Sequence, residues 1–239
     1  MQRVLVVRAG SAPEPVRERH GDFSDWFTAL LAPLVTPVVA DAVDGMLPDP
    51  ARFDGVVVTG SVDSVTRRAP WMEALGGWLV AAAERTPVLG VCFGHQLLAH
   101  ALGAEVERHP AGPESGTVEV ELTDAGAADP LFAGLPRRVA VQHGHEDHVP
   151  RLPPGAVLLA SNAHTPVQAF AHGPRLRAVQ FHPEFDAARA RAFAEAERDW
   201  LEAARPGLAD EALRSIRPTP DATRVLANWV EGYVRLRGG

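Results

Sequence analysis

The sequence of 239 residues contains no lysine, so all 23 of its basic side chains are arginines. This absence excludes phosphate-loop nucleotide hydrolases, pyridoxal enzymes and kinases, because each needs a lysine amine at its phosphates or in its Schiff base. The single cysteine, Cys92, excludes an internal disulfide and a zinc site built from several cysteines. A chain without disulfides suits a reducing compartment, and we expect it in the cytoplasm.

Long apolar runs are also absent. The amino-terminal run, residues 4–7, is too short for the core of a signal peptide, and no run approaches the roughly 18 residues of a membrane helix. The net charge of −7 does not favour binding to nucleic acid or anionic lipid. With 46% hydrophobic and 22% charged residues, the composition is that of a globular protein with a sizeable core. We therefore expect neither a membrane nor a nucleic-acid partner.

Short, unbroken apolar runs alternate with helix-like segments in the first half of the chain. Unbroken runs are typical of strands buried on both faces, as in a parallel sheet, and their alternation with helices indicates an α/β fold. The predicted strands are 4–7, 56–58, 88–91 and 178–181, and the predicted helices are 25–34, 71–85 and 95–102.

The second half begins with a run that alternates between apolar and polar residues, 117–122, which predicts a half-exposed strand. We find no repeat, linker or composition shift, so we expect one domain over 1–239, with a mainly parallel central sheet covered by helices on both faces. Its C-terminal helices should fill about 187–239. Further predicted strands are 139–142, 156–160 and 167–170, and the predicted helices are 187–205 and 223–236.

The segment around Cys92 has the pattern of a nucleophile on a tight turn between a strand and a helix. Gly90 and Gly94 lie two residues before and two residues after it, and glycines there permit the sharp turn of a hydrolase nucleophile elbow. At a helix N-terminus a thiolate is favoured, and the amide of Phe93 can point at a developing oxyanion. We interpret Cys92 as a nucleophile rather than as a small buried apolar residue.

A matching base lies where the apolar run 178–181 ends in His182, Pro183 and Glu184. In an extended segment, residues two apart face the same side, so His182 and Glu184 can project together. A carboxylate beside an imidazole orients its tautomer and stabilises the imidazolium that forms when a thiol gives up its proton. The sequence therefore predicts a triad of Cys92, His182 and Glu184.

These motifs resemble those of the class I, or triad, glutamine amidotransferases, of the stand-alone type similar to the amidotransferase domain of GMP synthetase. The resemblance covers roughly residues 1–185 and implies a flavodoxin-like α/β fold. It is carried by the nucleophile segment 90–96, the base segment 180–184, the loop 59–61, and the shorter segments 122–126, 129–136 and 152–156.

The resemblance implies that Cys92 attacks the γ-carboxamide of glutamine to form a γ-glutamyl thioester and release ammonia. His182 would act as the base, Glu184 would orient it, and water would then release glutamate. The expected oxyanion hole is formed by the backbone amides of Gly60 and Phe93. The resemblance implies no metal ion and no organic cofactor. The expected substrate contacts are Ser61, Gln96 and His145.

One position departs from the family pattern. The segment from His145 to Val149 matches the family's His-x-Asp-x-Val, where the preceding residue is commonly a serine that helps to hold the amino-acid end of glutamine; here it is Gly144. A γ-glutamyl peptide or conjugate therefore stays open as the substrate. Because the sequence shows no synthetase domain and no ATP-binding motif, the ammonia would pass to a separate synthetase subunit, or the protein would act alone as a γ-glutamyl hydrolase.

Three other interpretations stay open. His143, His145, Asp147 and His148 match the His-x-His-x-Asp-His zinc signature of metal-dependent hydrolases, but that interpretation leaves Cys92 without a role. An α/β-hydrolase with a cysteine nucleophile also fits the elbow, although its acid precedes its histidine. The third is a non-catalytic scaffold that binds a ligand in the same pocket.

Overall fold

The strands form a large sheet and a short two-stranded ladder in the computed structural model, which describes residues 1–43 and 46–238. The predicted domain 1–239 also includes residues 44, 45 and 239, which lie outside the described residues. The strands are β1 (Arg3–Arg8), β2 (Thr36–Asp41), β3 (Gly55–Val58), β4 (Val88–Val91), β5 (Glu107–Arg108), β6 (Glu114–Leu122), β7 (Arg138–His145), β8 (Asp147–His148), β9 (Ala156–Ser161), β10 (Ala169–His172) and β11 (Leu176–Val179).

The large sheet has nine strands in the order β2-β1-β3-β4-β11-β10-β9-β6-β7, and β5 pairs with β8. The first five strands in that order are parallel, while β10, β9, β6 and β7 extend the sheet with antiparallel pairs. The predicted α/β class is confirmed. The carboxyl ends of β3, β4 and β11 lie side by side, which is where parallel sheets of this type place their ligands.

Helices cover both faces of the sheet, as predicted. They are α1 (Glu14–His20), α2 (Phe23–Leu31), α3 (Pro70–Ala83), α4 (Phe93–Ala101), α5 (Asp124–Ala128), α6 (Ala187–Ala196), α7 (Arg198–Ala204), α8 (Leu208–Ser215) and α9 (Pro220–Trp229). The chain continues past α9 as a π-helical turn, Val230–Val234, and a 3-10 turn, Arg235–Gly238, so the predicted helix 223–236 is helical with a change of geometry near its end.

Strand β1 shows why its apolar run is unbroken. Val4 and Val6 pack on the face covered by α2 and α9, while Leu5 and Val7 pack on the face covered by α3 and α4. All four side chains are fully buried. A strand between two helical layers has no polar face, and burial of both faces is the main source of its stability.

The prediction of one long helix over 187–205 is wrong in one respect, because two helices, α6 and α7, occupy this segment. They meet at Glu197, where φ is −97° and ψ is 11°. Before the break, Phe193 of α6 packs against Phe23 and Phe185. After it, Leu201 of α7 packs against α8. The two helices pack against different neighbours, and the bend at Glu197 lets each reach its own.

The sequence patterns missed the strands β2, β5 and β8 and the helices α1, α5 and α8. Strand β2 is an edge strand that contains Pro37 and has no fully buried residue, so neither an apolar run nor a clean alternation marks it. The predicted strand 178–181 overlaps β11, which ends at Val179. None of the helices within 1–43 and 46–238 is both long and apolar enough to cross a membrane.

Two helical glycines provide a matched test of the packing between α4 and the sheet. A Cβ atom on Gly94 would lie 2.8 Å from the carbonyl oxygen of Val58, whereas a Cβ on the exposed Gly77 of α3 meets nothing within 4 Å. We expect Gly94→Ala to lower the free energy of unfolding by about 1–3 kcal/mol through overpacking. Gly77→Ala should raise it by about 0.5–1 kcal/mol through helix propensity and a stiffer unfolded chain. Urea unfolding measures both, and a Gly94→Ala protein as stable as the parent would contradict the packing described here.

Candidate active site

Cys92 lies on the turn between β4 and α4, with φ 51° and ψ −102°. Residues other than glycine rarely adopt a positive φ, and such a backbone costs about 1–3 kcal/mol unless its surroundings hold it. Gly90 and Gly94 have no side chains, so neighbouring atoms can pack closely around this turn and hold it. A Cβ on Gly90 would lie 2.7 Å from the carbonyl oxygen of Gly94. The structure thus forms the predicted strained turn, and only glycine fits on either side of the cysteine.

His182 follows β11 and faces the turn. Its backbone N–H donates to the carbonyl of Gln142 (3.0 Å), and its ring Nδ1 lies 2.6 Å from Glu184 Oε1, with both side chains buried. Burial by itself lowers the pKa of His182, but the charges of Glu184 and Cys92 and its hydrogen bonds to both outweigh burial and raise the pKa to about 10. The structure therefore brings the three predicted triad residues together, with the imidazolium form strongly favoured.

Aromatic side chains enclose the imidazole. Phe185 stacks on the His182 ring with centroids 4.2 Å apart and planes within 17°, and Phe23 lies nearly parallel to the ring at 6.1 Å. Trp26 packs edge-on against Phe185. These rings fix the orientation of His182 and keep water from its faces. Their role was missed at the sequence level because Phe23 and Phe185 belong to segments that meet only in the fold.

Of the two residues predicted to form an oxyanion hole, Phe93 directly follows the cysteine and Gly60 lies in the loop after β3. Phe93 is the first residue of α4, so its N–H has no acceptor within the helix. Gly60 follows β3 and lies against the His182 ring, since a Cβ there would be 2.9 Å from the ring Cε1. Thr59 holds this loop by donating to the Gly60 carbonyl (2.8 Å) and accepting from the N–H of Ala9 (3.1 Å).

A pocket of about 270 Å³ opens above Cys92, which suits a ligand of amino-acid size. The three predicted substrate contacts all line it. So do side chains from α6, α7 and the turn between them. The lining residues are Phe23, Ser61, Val62, Asp63, Ser64, Cys92, Gln96, Arg108, Gly144, His145, Glu146, Asp147, His182, Phe193, Glu197 and Trp200.

Two of the residues predicted to contact substrate, Gln96 and His145, make hydrogen bonds to other residues of the protein. Gln96 Nε2 donates to the carbonyl of Asp147 (2.7 Å) and to Gln180 Oε1 (3.1 Å). The ring Nδ1 of His145 also bonds the Asp147 carbonyl (3.0 Å), and its Nε2 faces Glu114 (3.2 Å). Gln96 and His145 therefore fix the backbone that forms the pocket wall, and their part in holding substrate stays a prediction.

Ser61 lies on the opposite side of the pocket. Its hydroxyl oxygen accepts from the N–H of Asp63 (3.0 Å) and packs closely against Gly10. Ser64 donates to the carboxylate of Asp147, joining the loop after β3 to the segment after β7. This bond connects the two walls of the pocket.

The four residues of the zinc signature are divided between two environments. His143 and His145 converge on Glu114, with ligand atoms of the three residues within 4.8 Å of one another. Asp147 accepts from Ser64, and His148 Nδ1 bonds the carbonyl of Glu107. Two imidazoles and a carboxylate could hold a zinc ion, but the signature His-x-His-x-Asp-His is not assembled as one site.

Glu114 is held as a buried anion behind the pocket. Asn162 and Gln168 donate to its carboxylate at 2.6 and 3.0 Å. Burial raises its pKa, but the charges of His143 and His145 and the hydrogen bonds from His145 and Asn162 lower the pKa to well below the usual range of a glutamate. Glu114 therefore holds the ring of His145 by a charged hydrogen bond, and His145 in turn holds the backbone of Asp147 in the pocket wall.

A cysteine on a strained turn, paired with a buried histidine and glutamate under a small pocket, is the arrangement that cysteine-dependent amide hydrolases use. A model of the family "Glutamine amidotransferase class-I" matches residues 35–195, and the chain belongs to that family. This confirms the resemblance drawn from the motifs. Glu197, Trp200 and the rest of α7 lie beyond the matched residues.

Two named relatives and one solved structure extend the comparison. A glutamine-hydrolysing GMP synthase subunit of Pyrococcus furiosus is 44% identical over 99 residues, 41% of this chain and 50% of that protein. Gamma-glutamyl peptidase 5 of Arabidopsis thaliana is 31% identical over 150 residues, 60% of each chain. A glutamine amidotransferase of Methylobacillus flagellatus has the same fold, with a TM-score of 0.77, 24% identity, and coverage of 98% of this chain and 96% of that one. The chain spans about a quarter to a half of the length of several GMP synthases that it matches.

The buried pair of His182 and Glu184 predicts a characteristic dependence of stability on pH. The folded-state pKa of His182, about 10, lies above its unfolded value of about 6.5. The pair therefore stabilises the fold fully below pH about 6.5, and this contribution is lost as the pH rises towards 10. The difference in free energy of unfolding between the parent and Glu184→Gln should be largest below pH 6.5 and should shrink steadily up to pH 10.

Urea unfolding at several pH values measures this difference. Glu195→Gln is the matched control, because Glu195 is exposed on α6 and the same chemical change there should have a small effect throughout. If the difference in free energy of unfolding between the parent and Glu184→Gln grew with pH, Glu184 would not be holding His182 in its charged form.

Proposed function

We propose that the protein hydrolyses the γ-carboxamide of glutamine through a thioester on Cys92. The observation that carries this proposal is the position of Cys92: it lines a pocket of amino-acid size together with His182, whose ring Glu184 orients from 2.6 Å. Membership of the class I glutamine amidotransferase family supports the same chemistry.

The geometry supports a mechanism in two steps. In the first, the sulfur of Cys92, whose proton resides on His182, attacks the amide carbon as a thiolate, and the amides of Gly60 and Phe93 stabilise the oxyanion. The carbon–nitrogen bond then breaks, and the leaving ammonia takes the proton from His182. In the second step water gives a proton to His182 and attacks the thioester carbon. The carbon–sulfur bond then breaks, which releases glutamate and restores the thiolate beside the protonated His182.

The ammonia would be consumed by a separate synthetase subunit. The similarity to a protein named as a subunit of GMP synthase supports this assignment, because that name denotes one part of an assembly. We also propose one catalytic domain over 1–239 in the cytoplasm, in agreement with the single cysteine and the absence of an internal disulfide.

A γ-glutamyl peptide or conjugate is the second candidate substrate. It stays a candidate because Gly144 stands where the family commonly carries a serine that helps to hold the amino-acid end of glutamine. The similarity to a plant γ-glutamyl peptidase supports it as well. The same triad serves both substrates, which differ only in the group that leaves the γ-carbonyl.

The proposal is tested by glutamate release from L-glutamine and from a panel of γ-glutamyl peptides, with Cys92→Ala as the comparison. Removal of a covalent nucleophile should reduce turnover by at least about 10³-fold while substrate binding is kept. Turnover of conjugates well above that of glutamine would favour the stand-alone hydrolase. Turnover of glutamine alone would favour a role in supplying ammonia to a synthetase.

Two outcomes would contradict the proposal. A parent protein that binds glutamine but releases no glutamate from any substrate would be a scaffold. Activity that survives in Cys92→Ala but is lost with a chelator would favour a metal-dependent reaction at His143 and His145.

A further inference from the structure

Glu197 lies at the bend between α6 and α7 and lines the pocket from the side opposite the sheet. Its Oε2 atom is buried, and among residues 1–43 and 46–238 it has no hydrogen-bond partner. The mechanism proposed above makes no use of this carboxyl group. A buried oxygen without a partner costs free energy, so its place in the pocket needs an explanation.

The nearby arginines do not pair with Glu197. Arg108 lines the same pocket, but it is mostly exposed and pairs with Glu146 (3.3 Å). Arg198, the next residue in the chain, pairs with Asp210 (2.9 Å). Burial raises the pKa of Glu197 to about 8, although the charge of His182 acts in the opposite direction. Near neutral pH Glu197 is therefore mostly an uncharged carboxylic acid, and a cation bound next to it would favour the carboxylate form.

The wall that faces Glu197 is the position where the sequence departs from its family. A Cβ atom on Gly144 would lie 4.0 Å from Glu197 Oε2 and 3.5 Å from Phe193. A serine at residue 144 would therefore project towards the carboxylate. Glycine leaves the part of β7 beside Glu197 free of a side chain.

From this geometry we propose that Glu197 binds the α-ammonium group of the substrate. The inference rests on the proposed function, since glutamine and all γ-glutamyl compounds with a free amino terminus share that group. An ammonium supplies three donors for the unpartnered oxygen and a positive charge that favours the carboxylate, and charge-assisted hydrogen bonds of this kind are stronger than neutral ones. Glu197 replaces the serine of the family pattern with a charged acceptor on the opposite wall.

The assignment defines a substrate class. The site takes γ-amides whose α-amino group is free, and it rejects acylated amines and amides that lack the amine, such as glutaric acid monoamide. The interaction concerns only the glutamyl half of the substrate, so it applies equally to free glutamine and to a γ-glutamyl conjugate.

The test compares kcat/KM for L-glutamine and for glutaric acid monoamide, which differ only in the amino group, in the parent protein and in Glu197→Gln. We expect Glu197→Gln to lose about 10- to 100-fold on glutamine, mainly through KM, and little on the monoamide. If the parent turns over a γ-glutamyl peptide better than glutamine, that peptide and its counterpart without the α-amino group replace the pair. Glu195→Gln, two residues away and exposed, is the matched control and should behave as the parent.

Two further measurements separate a binding role from a structural one. Glu197→Asp keeps the charge and should retain part of the preference for the amine. Calorimetric binding of L-glutamine to Cys92→Ala should weaken by the same 10- to 100-fold when Glu197→Gln is added. An equal loss on both substrates, or no loss on glutamine, would overturn the assignment. Failure of the proposed function gives a different result, because the parent itself would then release no glutamate from any γ-glutamyl amide.

Discussion

The close packing of α4 against β3 and β4 is the constraint on which the site depends. Gly90 and Gly94 allow the backbone to approach so closely that Cys92 is held at φ 51°. The strain of that conformation is balanced by burial of the surrounding strands. The same turn starts α4 at Phe93, whose N–H has no acceptor within the helix. One packing requirement thereby fixes Cys92 and Phe93, the residues that the proposed mechanism uses as nucleophile and as one oxyanion donor.

Burial lowers the pKa of several histidines of this protein, and the charged groups next to each ring decide whether the pKa stays low. His95 and His143 are fully buried, burial lowers the pKa of each to about 3, and the nitrogens of both rings lack hydrogen-bond partners among the described residues. His182 is as deeply buried, but the carboxylate of Glu184 and the sulfur of Cys92 raise its pKa to about 10. Two of these rings are neutral, while the third is held as a cation at the nucleophile. The fold therefore stabilises a positive charge at His182, the histidine that the proposed mechanism uses as its base.

The sequence predicts those elements whose conformation is set by residues close together in the chain. The glycines around Cys92 and the run that leads to His182 each specify a turn or a strand by themselves, so motifs alone are enough to predict that Cys92, His182 and Glu184 lie together. The bend at Glu197 could not be predicted, because it depends on the packing of Leu201 against α8, an element that the sequence patterns missed. The aromatic enclosure of His182 was likewise invisible, since Phe23 and Phe185 are far apart in the chain and meet only through α2 and α6.

The position of Glu197 also bears on how the two candidate substrates differ. A carboxylate that recognises the α-ammonium acts on the half that glutamine and γ-glutamyl conjugates share, so it cannot distinguish them. Discrimination must come from the side of the scissile bond where ammonia or a larger amine departs. The exposed Val62 and Arg108 line the same pocket, and they have room to contact a leaving group larger than ammonia. A site with a strong hold on the glutamyl half and an open opposite side suits hydrolysis of several γ-glutamyl amides. A strict supply of ammonia to a synthetase would require a partner protein to close that side.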